Sequence, residues 1–179
     1  VICSDKTGTL TENKMTVSAY YDTKWQDKPA HLSSDWLIHN ICLNTTADIA
    51  PDGAFIGNPT ECAMLSFYER SDARQASGKS YKDERADHDV LYAFPFSSEL
   101  KHMTTISKVD GRMISYVKGS PECVFAMCAL SPRDRDRIES QIVRAQKKAM
   151  RVIAFAHKEL QDLRDYENER NHKDMESGM

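Results

Sequence analysis

The stretch Met103-Thr104-Thr105-Ile106-Ser107-Lys108-Val109-Asp110-Gly111-Arg112-Met113-Ile114-Ser115-Tyr116-Val117-Lys118-Gly119-Ser120-Pro121-Glu122 decides the fold. Two runs rich in β-branched and aromatic residues, Met103 to Val109 and Met113 to Val117, are joined by Asp110-Gly111, a dipeptide suited to a tight hairpin turn. Directly after the second run, Ser120-Pro121 puts a side-chain acceptor at a helix N-cap and a proline at the first helical position, where a missing NH costs nothing. A hairpin feeding a helix is therefore expected in the middle of the chain. Outward from it, Tyr92 to Phe96 and Val152 to Ala156 are further strand-like runs, and Cys123 to Leu130, apolar on all sides, predicts a short buried helix. The sum is an α+β fold, a largely antiparallel sheet flanked by helices.

Asn58-Pro59 and Ser131-Pro132 repeat the capping device. Behind Asn58, Glu61 falls at capping-box spacing, and Cys62, Met64, Leu65 and Tyr68 continue the helix. Behind Ser131, Asp134 falls at the third helical position, and Ile138, Ile142, Ala145 and Ala149 supply an apolar stripe. Asp35 can cap a helix carrying Leu37, Ile38, Ile41 and Cys42. Met15 to Tyr21 reads as a strand, and Pro51-Asp52-Gly53 as a turn before Ala54-Phe55-Ile56. Residues Asp72 to Asp89, dense in charge and holding Gly78, read as a helix end and solvated loop. Beyond Leu163 the run Arg164 to Gly178 is nearly all polar and reads as a mobile tail or linker.

A chain of 179 residues can bury one good core or a small two-part domain. Its net charge of −3 excludes the basic field that nucleic-acid binding requires. The longest purely apolar run, Cys123 to Leu130, is far short of the roughly 20 residues that span a bilayer. The chain carries no secretory signal and opens as though inside a buried strand, so a soluble piece of a larger protein is expected. Cys3, Cys42, Cys62, Cys123 and Cys128 show no Cys-x-x-Cys spacing and suit a reducing compartment. The six histidines are scattered without a helical zinc pair and predict no metal cluster; His102 reads as a surface strand position that could lie near a ligand.

Chemistry enters at Asp5-Lys6-Thr7-Gly8-Thr9-Leu10-Thr11. A carboxylate on a tight loop can attack a phosphoryl group, Lys6 and backbone NH groups can approach the phosphate, and Gly8 removes the side chain that would block them. These seven residues resemble the phosphorylation-site signature of the P-type ATPases, the cation pumps that form an aspartyl-phosphate. Further segments resemble the nucleotide-binding domain of the same family, in the family's order. Gly57-Asn58-Pro59-Thr60-Glu61 looks like the helix-opening segment whose glutamate faces adenine. Phe94-Pro95-Phe96-Ser97-Ser98-Glu99-Leu100-Lys101 looks like the segment in which an aromatic, here Phe96, stacks on adenine and a lysine, here Lys101, lines the pocket; Phe94 is assigned to packing. Ser98 stands where some calcium pumps place an arginine. Lys118-Gly119-Ser120-Pro121-Glu122 resembles the Lys-Gly-Ala-Pro-Glu segment, with Lys118 reaching toward ATP and Gly119 letting the nucleotide approach the backbone. Arg151-Val152-Ile153-Ala154-Phe155-Ala156 matches the last segment, with Arg151 suited to phosphate or ribose.

The resemblance covers Val1 to about Leu160. It implies a phosphorylation-domain remnant at 1–14, a nucleotide-binding domain at 15–163 and a polar tail or linker at 164–179. Asp5 would be the phosphoryl acceptor, aided by Lys6 and Thr7, with Mg²⁺ on Asp5 and Thr7 in the intact parent. ATP would be held by Glu61, Phe96, Ser98, Lys101, Lys118, Gly119 and Arg151. The implied partners are nucleotide and the remaining phosphorylation, actuator and transmembrane domains of a pump, with this piece on the cytoplasmic face and no nucleic acid bound. The family's downstream lysine and Mg²⁺ carboxylates are absent from the chain, which predicts nucleotide binding without turnover. Ile2-Cys3-Ser4-Asp5 and Asn58-Pro59-Thr60-Glu61-Cys62-Ala63 lean toward calcium pumps, especially the plasma-membrane type, while sodium/potassium, proton and magnesium pumps stay open. Two other classes stay open. An aspartate-nucleophile phosphatase would need that lysine and those acidic motifs within the chain. A regulatory or interaction module would keep the fold without ATP affinity, and a nucleotide-dependent melting shift separates it from a binding domain.

Overall fold

A computed structural model describes residues 14–22, 24–26, 31–32, 34–161 and 169–179, with side chains in the last segment from His172 onward. The elements in chain order are β1 (Tyr20–Asp22), β2 (Lys24–Gln26), α1 (Asp35–Leu43), β3 (Asp48–Ile49), β4 (Phe55–Ile56), α2 (Pro59–Glu69), α3 (Asp72–Ser77) and α4 (Tyr81–Ala86). They continue with β5 (Asp89–Phe94), β6 (His102–Val109), β7 (Arg112–Gly119), α5 (Pro121–Met127), α6 (Pro132–Gln146), β8 (Ala154–Leu160) and α7 (Glu169–Met175). The chain divides into two compact units, Val1–Ser34 with Thr45–Lys82, and Asp35–Asn44 with Asp83–Met179. No helix among the described residues is long and apolar enough to cross a membrane.

In the first unit β1 pairs with β2 and β3 with β4, both antiparallel. The strand expected from Met15 begins only at Tyr20, and Lys14 to Ala19 lies outside any ladder. Asn58 caps α2 by accepting from Thr60 N at 2.9 Å, and the helix buries Ala63, Met64, Leu65, Phe67 and Tyr68. Asp72 to Asp89 is not the solvated loop that its charge suggested. Ser71 caps α3 by accepting from Arg74 N, and Gly78, at φ 72°, ends it in the left-handed conformation. Buried Tyr81 opens α4, its hydroxyl donating to Asp48 and accepting from Ile49 N at 3.0 Å. A short helix with no buried side chain, as α3 is, leaves no apolar period to read.

In the second unit one antiparallel sheet runs β5-β6-β7-β8. Val109 pairs with Arg112 across Asp110 and Gly111, whose φ angles of 49° and 78° are those of a type I′ turn. The side chains of β6 and β7 alternate between two covered faces. On one, α1 packs Leu43 and Trp36 against Val109, Ile114 and Tyr116, and Trp36 stacks on His157 with centroids 4.7 Å apart. On the other, Met175 of α7 lies against Ile106 and Met113, and Val124 of α5 against Val117 and Ala156. Both faces being covered explains why β6 and β7 are buried almost throughout.

Ser120 and Ser131 cap α5 and α6 as the Ser-Pro pairs predicted. Ala145 is buried in α6 while Ile138 and Ile142 are half-buried; Ala149 falls in the turn beyond the helix, at φ 55°. The polar stretch 164–179 contains α7, with Met175 only 1% exposed. Its last residue is also anchored, Met179 donating its NH to Met127 O and accepting from Ala129 N, each at 3.0 Å. The four described cysteines are free thiols.

Candidate functional site

Strand register brings three distant segments to one end of the sheet. His102, the first residue of β6, pairs with Gly119, the last of β7, and Gly119 pairs with Ala154, the first of β8. β5 leaves the sheet at the same end, at Phe94 paired with Thr104. The connections that hold Phe96 to Lys101, Ser120, and Arg151 to Ile153 therefore emerge together.

The connection after β5 is a built turn. Ser97 Oγ accepts from Leu100 N at 2.9 Å, Ser97 O accepts from Lys101 N at 2.8 Å, and Lys101 reverses the chain at φ 56°. A left-handed lysine is uncommon. Its carbonyl accepts from Ser120 N at 2.9 Å, which fastens this turn to the end of β7. Gly119 makes that approach possible: a Cβ there would stand 2.5 Å from Lys101 O and 2.7 Å from His102 Cα. The structure thus supplies a packing reason for this glycine besides the nucleotide approach implied by resemblance.

The two phenylalanines differ sharply. Phe94 packs against Tyr92 and His172, with centroids 4.9 and 3.7 Å away, whereas Phe96 is 55% exposed. Ser98, Lys101 and Arg151 are also exposed. Lys118, by contrast, is 5% exposed and donates Nζ to the carbonyl of Asn44, one residue past α1. A cation at a helix carboxy end complements its dipole, and a buried ammonium requires such acceptors. Glu122, in the first turn of α5, is held below the ordinary carboxylate range by its own backbone NH and then the Ser120 hydroxyl, with Lys101 contributing.

Asn40 and Asn44 fix the helix that Lys118 meets. Asn40 Nδ2 donates to Val117 O and Ala156 O at 3.0 and 3.1 Å. Asn44 Nδ2 lies 3.1 to 3.3 Å from Asn40 Oδ1, Met103 O and Tyr116 O, and Asn44 Oδ1 accepts from Thr105 Oγ1 at 2.8 Å. Sequence reading missed this network because its members lie up to 116 positions apart.

His102 is not the surface residue its sequence context suggested; it is 7% exposed, with Nε2 3.2 Å from Glu176 and Nδ1 2.9 Å from Leu100 O. The Glu176 hydrogen bond raises its pKa, and Glu176 is lowered by His102 and Thr104 against the opposing effect of burial. A raised imidazole contributes stability that is full below its ordinary value of 6.5 and is lost as pH rises through the folded value. Glu176 has the opposite sign, its contribution being lost as pH falls below the ordinary carboxylate range. The melting temperature is expected to drop by about 3–6 °C on the alkaline side, for a charged hydrogen bond of about 1.5 kcal/mol. His102→Gln removes that step, and an unchanged pH profile in the variant would refute the pairing.

In the first unit Glu61 is 9% exposed and accepts from Thr46 Oγ1 at 2.6 Å and Thr46 N at 3.3 Å. Asn58, its expected capping-box partner, instead receives Thr60 N. Asp5, Lys6 and Thr7 lie outside the described residues. Elsewhere, burial and then His88 lower the His39 imidazole, and burial pushes the Tyr116 phenol up to about 12.

The turn carrying exposed Phe96 and Lys101, the last residues of β7 with buried Lys118 and Gly119, and the Arg151 connection into β8 lie at one end of the sheet. Such a set suits a planar base bearing an anionic tail. Residues 32–179 match the family model described as P-type ATPase, cytoplasmic domain N. The chain is 32% identical over 176 residues to calcium-transporting ATPase 1 of Lactococcus lactis, covering 90% of this chain and 19% of that protein. It is 32% identical over 201 residues to plasma membrane calcium-transporting ATPase 3 of Rattus norvegicus, covering 94% and 16%. With cation-transporting ATPase pma1 of Synechocystis the identity is 31% over 216 residues, covering all of this chain and 23% of the relative. The chain thus spans about a fifth of the length of these relatives, and it belongs to the P-type ATPases, with the cytoplasmic domain N of that family at residues 32–179.

Proposed function

We propose that this chain binds ATP at the end of the four-stranded sheet and, within a complete pump, presents the γ-phosphate to Asp5. The observation that carries the reading is the contrast between packed Phe94 and exposed Phe96 beside the Lys101 turn. Phe96 stacks on the base. Lys101 lines the pocket from the turn that also carries Ser98, Arg151 faces the phosphate or ribose side, and Lys118 extends the positive field from the sheet interior. Gly119 lets the Lys101 turn close against the end of β7 and so sets the position of that turn. In the parent, an Asp5 carboxylate oxygen attacks the γ-phosphorus, forming an O–P bond as the bridging bond to ADP breaks. In the parent, the carboxylate of Asp5 and an oxygen of Thr7 would be hard donors of the kind that hold Mg²⁺, which would offset the charge of the transferring phosphoryl group.

Phosphoenzyme formation and hydrolysis would drive conformational switching in the transmembrane domains and so move a cation. The transport named for the Lactococcus and rat relatives supports Ca²⁺ as that cation and a place on the cytoplasmic side of the membrane. The chain alone binds without turnover.

Isothermal calorimetry with ATP tests the binding. Phe96→Ala is expected to weaken it by about tenfold, consistent with about 1–3 kcal/mol for base stacking, while Phe94→Ala mainly lowers the melting temperature. Equal loss of affinity in the two variants at equal foldedness would refute the stacking role, and steady phosphate release by the chain would refute binding without turnover.

A further inference from the structure

His39 on α1, Glu84 in the last turn of α4 and His88 two residues beyond that helix converge within the second unit. One donor atom from each lies within 4.8 Å of the other two. We propose that these three side chains form a divalent-cation site of the zinc type, made of residues that have no part in the nucleotide reading.

Two imidazoles and a carboxylate are a recognised three-ligand set for zinc, leaving a fourth place for water. Glu84 and His88 are four residues apart, which carries Oε2 to 4.0 Å from Nε2, with side chains only 10% and 12% exposed. His39 meets His88 edge to face, ring centroids 4.6 Å apart. Donors in a tetrahedral zinc complex stand about 3.4 Å apart, given metal–nitrogen bonds of about 2.1 Å, so rotation about side-chain bonds closes the remaining gap. An outer partner is also in place, since the Tyr116 hydroxyl lies 3.2 Å from His39 Nδ1 and can hold the ring's orientation. Mixed imidazole and carboxylate donors favour Zn²⁺, Co²⁺ or Ni²⁺ over Mg²⁺ and Ca²⁺. The bound ion would tie α1 to the segment entering β5, closing a loop of chain that separates His39 from Glu84.

The histidines looked scattered in sequence because only the Glu84–His88 spacing is local, while His39 arrives through the packing of α1.

Zinc titration of the reduced chain, read by calorimetry and by melting temperature, tests the site. The expected result is one Zn²⁺ per chain and a melting temperature that rises with zinc, with affinity falling at least about tenfold in both His88→Gln and Glu84→Gln. Co²⁺ should give visible d–d bands without a thiolate charge-transfer band. Unchanged zinc binding in His88→Gln, a thiolate band, or no zinc-dependent effect would each overturn the proposal. His88 lies beyond the end of α4, so its variant keeps the test informative if Glu84→Gln fails to fold.

Discussion

Gly119→Ala is expected to destabilise the chain by about 3 kcal/mol, the upper range for forcing a methyl group into filled space. The new Cβ would sit 2.5 Å from Lys101 O, 2.6 Å from His102 Cβ and 2.7 Å from His102 Cα. Two of these neighbours are backbone atoms, so no side-chain rotation relieves the clash. The strands must separate at the His102–Gly119 pair, and the Ser120 to Lys101 hydrogen bond must lengthen with them. Because Lys101 already occupies a left-handed conformation, the turn carrying Phe96 has little freedom to follow. Urea denaturation should show a reduced midpoint with the slope unchanged, together with weaker ATP binding. A loss below about 0.5 kcal/mol, the usual range for an unimportant surface change, would mean that the strands approach less closely than described.

The second large effect is expected at Asn44. Asn44→Ala removes donors directed at Asn40 Oδ1, Met103 O and Tyr116 O, and removes the acceptor for Thr105 Oγ1. The residue is fully buried, so water cannot replace these partners without entering the space between α1 and the sheet. Leaving several buried polar groups unpaired should cost about 3–4 kcal/mol, beyond the roughly 1 kcal/mol net of one hydrogen bond. Thr105→Val, which removes one donor only, should cost about 1 kcal/mol. A double-mutant cycle should find the two effects strongly non-additive. Additive losses would show that Asn44 and Thr105 stabilise the fold independently. Asn44→Ala should also disturb Lys118, whose ammonium is bonded to the Asn44 carbonyl.

Legibility in the sequence followed the range of each interaction. The β6–β7 hairpin and the helices starting at Pro59, Pro121 and Pro132 are set by neighbouring residues, and the Asp-Gly and Asx/Ser-Pro pairs announce them. α3 and α4 were hidden because one buries no side chain and the other, besides buried Glu84, has Tyr81 as its one buried apolar anchor. α7 was hidden for a similar reason: Met175 and Met179 secure a stretch that is otherwise polar. Within the candidate site, composition could not rank Phe96 over Phe94; family resemblance suggested the division, and strand packing supplies its physical basis. Glu61 shows the limit of spacing rules. Its three-residue distance from Asn58 suggested a capping box, yet its carboxylate bonds Thr46, fifteen positions away.

The central claim, nucleotide binding at the end of the β5–β8 sheet, is tested most directly by titrating isotopically labelled chain with ATP and mapping the backbone amide shifts. Saturable shifts should concentrate at Phe96, Ser98, Lys101, Gly119 and Arg151, and should weaken in Phe96→Ala. No saturable shifts even at millimolar ATP, or shifts confined to α6 and β8 away from Arg151, would contradict the account.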